Sequence, residues 1–340
     1  MMTNLRKGKI RPNDQIRQCL DENRHVIEFA ETAADIRECD WGHDISKGLD
    51  VLVPELSRLR LTAFMLTAKA HILAQEGDQR ASLAKFLTIH KMARHVGDSL
   101  LLSYLVNIGL NGLASNHIQH LLSTMPQDLE TLLWLRSQMI AVSVDTPSIK
   151  VAMAREKEIS MQEIREEKIE NFLKIRGDDF AGDKTKAAAV EKVRRGDAKF
   201  FRDNRQYYAG VMDDVIAAMD LPYQQAHRRL QELTARIEED VKTNQSAIMA
   251  TLLTPASCRV HTLGTKSDTL FNATRAAIEI YVVRAKTGRL PDRLPANLPK
   301  DLFSGEDFEY SKRKDGFTLR CRGKDLDEGE AYQYEFEVAE

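Results

Sequence analysis

The stretch LPDRLPANLPKDLFSGEDFEYSKRKDGFTLRCRG, Leu290 to Gly323, decides how this chain is read. Its prolines Pro291, Pro295 and Pro299 exclude helix, because each lacks a backbone N–H and clashes with the preceding turn. From Asp307 onward apolar residues recur with period two, the spacing of a half-buried strand. Phe308 and Tyr310 share one face, as do Phe317, Leu319 and Cys321, and then Tyr332, Tyr334, Phe336 and Val338. Polar residues fill the alternate positions: Glu309, Thr318, Arg320, Arg322, Gln333, Glu335 and Glu337. The pattern predicts a three-stranded antiparallel meander with one buried face.

Register follows from the same residues, since a slip of one residue exposes the whole apolar set. A two-residue Asp315-Gly316 turn places Lys312 and Lys314 on the apolar face. A four-residue loop, Arg313 to Gly316, pairs Tyr310 with Leu319 and Phe308 with Cys321, and is preferred. Arg320 and Arg322 are expected to point outward, near Glu335 and Glu337. Three strands need a cover for their apolar face, and the preceding helix is the nearest one.

Upstream, the chain reads as helix. Only 17 glycines and 9 prolines interrupt 340 residues, so long helices are expected. One helical pattern spans residues 12–37 and ends in the loop CDWGHDISKG, followed by a helix opened by Pro54. The next two run from about Gln79 to Val96 and from Ser99 to Thr124. They are separated by EGD and VGD turns, in which Gly supplies a left-handed cap and Asp caps the following helix. A helix after Pro126 reaches Val142. A long charged helix with a narrow apolar stripe covers about 148–176, and GDDFAGDKTK is a loop or flexible tip. Helices at about Lys184–Met219, Tyr223–Leu253 and Ser267–Lys286 complete the array.

The fold class is therefore mainly α: an antiparallel helical bundle or repeat-like array with a small C-terminal three-stranded antiparallel β meander. The 34-residue tetratricopeptide period is missing. Two units are expected, a helical array at 1–265 and a long helix, proline-rich loop and meander at 266–340. A hydrophobic content of 43% and net charge of −2 are those of a globular chain with no global attraction to nucleic acid. No run reaches the roughly eighteen apolar residues that cross a bilayer. Cys19, Cys39, Cys258 and Cys321 are scattered, without a CxxC pair, and are expected as free thiols.

The C-terminal segment resembles a pattern in uncharacterised, mainly helical proteins of planctomycete-type bacteria, and its layout is similar to the C-terminal part of type II secretion pseudopilins. Tyr281, Gly288, Leu290-Pro291, Leu298-Pro299, Asp301, Phe303-Ser304-Gly305, Tyr310, Gly316-Phe317, Leu319 and Gly323 carry the likeness. The segments CDWGHDISKGLDVLVPELSRLRLTAFMLTAKAHILAQEGD and ARHVGDSLLLSYLVNIGL share the look of the planctomycete-type group. The resemblance implies a fold rather than an activity. It also implies a cell-envelope or secretion setting if an N-terminal anchor has been removed; as written, the chain reads as cytoplasmic.

The acidic loop GKDLDEGE gathers hard oxygen ligands, Asp325, Asp327 and Glu330, which calcium needs. Pseudopilins of this type bind calcium in the corresponding loop; a solvated acidic turn is the other reading, and no other cofactor is expected. His90 with His95, and His117 with His120, lack the HExxH spacing of a helical zinc site. RRGDAKFFRDNRQYY mixes bases with aromatics, but at helical spacing Phe200, Tyr207 and Tyr208 read as core. No glycine-rich phosphate loop or GxSxG occurs. Two functions are expected in order: a non-enzymatic helical scaffold that binds a protein partner, then a hydrolase-like enzyme whose acid/histidine site assembles only in the fold, from groups such as His90, His117 or His120.

Overall fold

The computed structural model describes residues 14–51, 53–97, 100–144, 146–180, 184–254 and 256–338. Its helices are α1 Asp14–Glu22, α2 Arg24–Ala34, α3 Pro54–Gln75, α4 Gln79–Val96, α5 Leu101–Thr124, α6 Leu129–Val142 and α7 Ile149–Glu163. They continue as α8 Ile169–Phe180, α9 Lys184–Arg194, α10 Ala198–Ala218, α11 Tyr223–Thr243, α12 Ile248–Leu253 and α13 Ser257–Thr287. The strands β1 Glu309–Arg313, β2 Gly316–Arg320 and β3 Gln333–Glu337 form one antiparallel sheet in that order. The mainly helical class with a C-terminal meander is as expected. Among the described residues, no helix is long and apolar enough to cross a membrane.

The apolar residues form two cores. One joins α1 to α6, the C-terminal half of α13 and the sheet. The other joins α7 to α12, with Tyr104 and Val260 reaching into it from α5 and α13. These two long helices hold the cores together, because each presents apolar residues to both.

Several helices are shorter than their sequence pattern, and in each case a polar side chain ends them. The pattern at 12–37 divides at Asn23, whose amide donates to Cys19 O at 2.8 Å and caps α1. The expected Lys184–Met219 helix breaks before Asp197, whose carboxylate accepts from Phe200 N at 2.8 Å as an N-cap. The expected Tyr223–Leu253 helix breaks near Gln245. There the buried Asn204 of α10 donates to Gln245 O and accepts from Met249 N.

The charged helix expected at 148–176 is also not continuous. It stops at Glu163 and resumes at Ile169. Glu163 is 1% exposed and accepts from Lys168 Nζ at 3.4 Å. Residues five apart lie on different faces of a straight helix, so only a break lets Lys168 return to this buried carboxylate. α8 extends to Phe180, past the start of the expected GDDFAGDKTK loop; residues 181–183 lie outside the described residues. α13 begins at Ser257 rather than Ser267, so residue 265 is interior to a continuous helix.

Of the two glycine turns, only the first is built as expected. Gly77 has φ +88, and Asp78 accepts from Ala81 N at 2.9 Å. Gly97 has φ −78; a Cβ there would stand 2.2 Å from the side chain of Pro147. Glycine at 97 thus permits close packing rather than a left-handed cap, while Asp98 lies outside the described residues.

The sheet has the expected register, with Tyr310 opposite Leu319, and Leu319 opposite Tyr334. The hairpin is tighter than the expected four-residue loop, since pairing continues to Arg313 opposite Gly316 and only Lys314 and Asp315 turn. Lys312 therefore does share the face of Phe317. It is tolerated because its stem lies at the edge and its ammonium reaches Asp292 at 2.5 Å. The arginine partners also differ from expectation: Arg313 pairs with Glu335 at 2.7 Å, and Arg322 with Glu309 at 3.4 Å. The apolar face covers α13, where the Tyr281 ring meets Phe317 edge-on at 5.3 Å and its hydroxyl donates to Glu337 O. α5 contributes Ser123, whose hydroxyl oxygen accepts from Glu337 N.

Candidate metal centre and the loops that build it

Two loops of one pattern, D-L-x-x-G-E, frame the second strand: Asp301–Glu306 and Asp325–Glu330. In both, the first Asp N donates to the sixth residue's carbonyl, and the fifth residue, a glycine, donates back to the Asp carbonyl. Gly305 and Gly329 have φ +77 and +75, a region other residues avoid. In both, the Asp carboxylate accepts from the third residue's backbone, Phe303 N or Asp327 N, at 2.9 Å. The loops differ in what that third residue delivers. Phe303 inserts an apolar ring against Tyr223 at 4.8 Å. Asp327 delivers a carboxylate to the next turn of the same helix, α11.

That carboxylate meets His227 Nε2 at 2.8 Å and stands 4.0 Å from Cys258 Sγ on α13. Ligand atoms of these three residues lie within 4.8 Å of one another, the one such group among the described residues. His227 is buried, Cys258 half-buried, and the Asp327 side chain is 32% exposed. Burial alone would raise the Asp327 carboxyl, but hydrogen bonds from His227 and Thr262 outweigh it and hold it below its usual range. Burial, then the Asp327 charge, push the Cys258 thiol up to about 11, so the unliganded group is a thiol and not a nucleophilic thiolate at neutral pH. One turn along α13, His261 stacks on Tyr223 at 5.7 Å, and burial together with His227 pushes its imidazole down to about 4.

The calcium ligands expected from sequence do not converge. Asp325 is 1% exposed, and its carboxylate is taken up by Asp327 N, Glu328 N and the Tyr332 hydroxyl. It is the builder of its loop rather than a ligand facing solvent. Asp327 turns away to His227, and Glu330 is exposed. The sequence signal that bears on this group is the second D-L-x-x-G-E, which sets Asp327 at the position that Phe303 holds in the first.

The other histidines lie in the packing. His117 stacks on Phe86 at 5.0 Å and His120 is exposed. His95 contacts Ile36 O at 2.7 Å. His90 is buried against Asn111 Oδ1 at 2.8 Å. Burial pushes the His90 imidazole from 6.5 down to about 4, with the Asn111 contact opposing. The folded state therefore prefers it neutral, so its stabilising effect is complete above pH 6.5 and is lost as pH falls toward 4. Between pH 7 and 5 wild type should lose about 2 kcal/mol more than His90→Gln. Urea midpoints at the two pH values measure this, and equal losses would refute it. In RRGDAKFFRDNRQYY, Phe201 and Tyr208 are core, and Tyr207 donates to Asp240 at 2.5 Å.

A separate cleft of about 480 Å³ opens beneath residues 37–45, lined by Arg37, Trp41, His43, Arg94, His95 and Arg155. Trp41 Nε1 donates to His95 O at 2.8 Å, and Arg94 donates to Ala34 O and Ile36 O. The first bond fastens the loop CDWGHDISKG to the end of α4, and the Arg94 bonds fasten the end of α2 there. Comparisons with protein-family models, curated proteins and solved structures gave no match in any of the three.

Proposed function

We propose that this chain is a non-enzymatic helical scaffold that binds a protein partner through the cleft beneath residues 37–45. The observation that carries this reading is the gathering of guanidinium groups from three separate segments, Arg37, Arg94 and Arg155, around Trp41. Guanidinium groups recognise carboxylates through paired N–H donors and stack on aromatic rings. The partner is therefore expected to offer an acidic segment. Glu38 and Asp40 line the same cleft and temper its charge, which favours a few close contacts over long-range attraction.

The test uses Trp41 as the reporter in a Trp134→Phe background, since the chain has 2 tryptophans. An oligoglutamate peptide should change its emission saturably, and added salt should weaken the binding. Arg155→Gln, at a side chain 45% exposed, should weaken it about tenfold. Unchanged emission, or equal binding by the variant, would remove the reading.

One observation favours the second reading, a hydrolase-like enzyme. His227, Asp327 and Cys258 come from three distant parts of the chain and meet only in the fold. Its weakness is the protonated thiol. Turnover of an ester or amide that is lost in His227→Gln would support it against the scaffold.

A further inference from the structure

We infer that His227, Cys258 and Asp327 bind a divalent transition-metal ion of the zinc class, which staples the second D-L-x-x-G-E loop to α11 and α13. The donor set decides the metal. One sulfur, one imidazole nitrogen and one carboxylate suit zinc and its borderline neighbours; calcium and magnesium take oxygen ligands and would leave the sulfur unused.

The spacing fits an ion with small adjustments. Zinc at its usual bond lengths sets tetrahedral ligand atoms about 3.3–3.7 Å apart. The present separations straddle that range, at 2.8 Å for His227 Nε2 to Asp327 Oδ1 and 4.0 Å for Cys258 Sγ to Asp327 Oδ1. Opening the first and closing the second, each by less than about 1 Å, and drawing together the His227 and Cys258 ligand atoms, which lie within 4.8 Å of each other, makes room for the ion.

An independent observation points the same way. His261 is 8% exposed, and its Nδ1 is buried without a hydrogen-bond partner. Buried polar atoms are almost always paired, so an orphan nitrogen one turn from Cys258 and beside His227 marks a missing partner. A water can take the fourth position from the exposed side of Asp327, with His261 flanking the group from the next turn of α13. The surrounding contacts already resemble the support that metal ligands need: Thr262 hydrogen-bonds Asp327, and Tyr223 contacts Thr262 at 3.3 Å and accepts from Leu326 N at 3.0 Å.

The ion would tie residues 31, 69 and 100 positions apart. It would lock the loop between β2 and β3 onto the helices and leave the cleft at residues 37–45 untouched. The inference is thus independent of the proposed function.

The experiment uses the untagged full chain under reducing conditions, titrated with cobalt(II) and then zinc. One equivalent of cobalt should give a thiolate-to-cobalt charge-transfer band that zinc removes and millimolar calcium does not. Cys258→Ser should abolish the band and weaken zinc binding more than about 100-fold, and Asp327→Asn should weaken it more than about tenfold. Cys39→Ser, at an exposed thiol elsewhere, should change neither. Helical circular dichroism confirms that each variant is folded. Zinc should raise the thermal midpoint of wild type by several degrees and leave Cys258→Ser unmoved. A spectrum without the charge-transfer band, a band unchanged in Cys258→Ser, or displacement by calcium would overturn the assignment.

Discussion

Replacing Phe317 with Ala is expected to lower the unfolding free energy by about 3–5 kcal/mol. Phe317 is fully buried on the middle strand. Its ring stacks on Phe336 at 4.9 Å and meets Tyr281 of α13 edge-on at 5.3 Å, with Tyr310 at 5.9 Å. Truncation removes one of the contacts that join sheet to helix and leaves a void that neighbouring rings can fill only partly. Arg320 is three residues along the same strand and exposed, so Arg320→Ala should stay within about 0.5 kcal/mol. Urea unfolding of both variants decides the matter. Equal, small losses would mean that the sheet's apolar face is not the buried one.

The second large effect belongs to a polar residue. Asp301→Ala should cost about 3–5 kcal/mol, because it strands several buried donors at once. Asp301 is fully buried; Oδ1 accepts from Phe303 N at 2.9 Å, and Oδ2 accepts from Ser304 Oγ at 2.7 Å and Gly323 N at 2.9 Å. Each amide left unpaired away from water costs about 1–3 kcal/mol, while the Ser304 hydroxyl can rotate toward another acceptor. The loss should also free the Gly323 amide, measurable as faster hydrogen exchange at that site. Asp307→Ala, on an exposed neighbour, is the control and should be nearly neutral. A loss at Asp301 no greater than at Asp307 would show that the loop is held by its backbone alone.

Period-two alternation from Phe308 to Phe336 made the sheet readable, register included. Side chains of a strand alternate strictly, and only one alignment buries Phe317, Leu319 and Phe336 together. Helix was equally readable, but its interruptions were not. At Glu163 and near Gln245 the apolar pattern runs on through the break, and no glycine or proline marks it. At the first, the chain turns back to bring Lys168 to the buried Glu163; at the second, Asn204 satisfies Met249 N, a group distant in sequence. Helical periodicity records which face is apolar; it does not record such obligations.

The surroundings of the candidate acids were hidden from the sequence for a related reason. Asp325, Asp327 and Glu330 are alike in sequence as exposed loop acids. In the fold Asp325 is buried and bonded to its own loop, Asp327 is turned to His227, and Glu330 faces water. A carboxylate's role depends on which donors surround it, and for Asp327 those donors come from α11 and α13, far away in the chain. The amino-acid sequence by itself determined the helical class, the meander, its pairing and the first glycine turn at Gly77, because all of these follow from local geometry and short-range periodicity. Tertiary structure alone decided where the helices near Glu163 and Gln245 break and which acid meets His227 and Cys258, because burial and close approach exist only once distant segments pack.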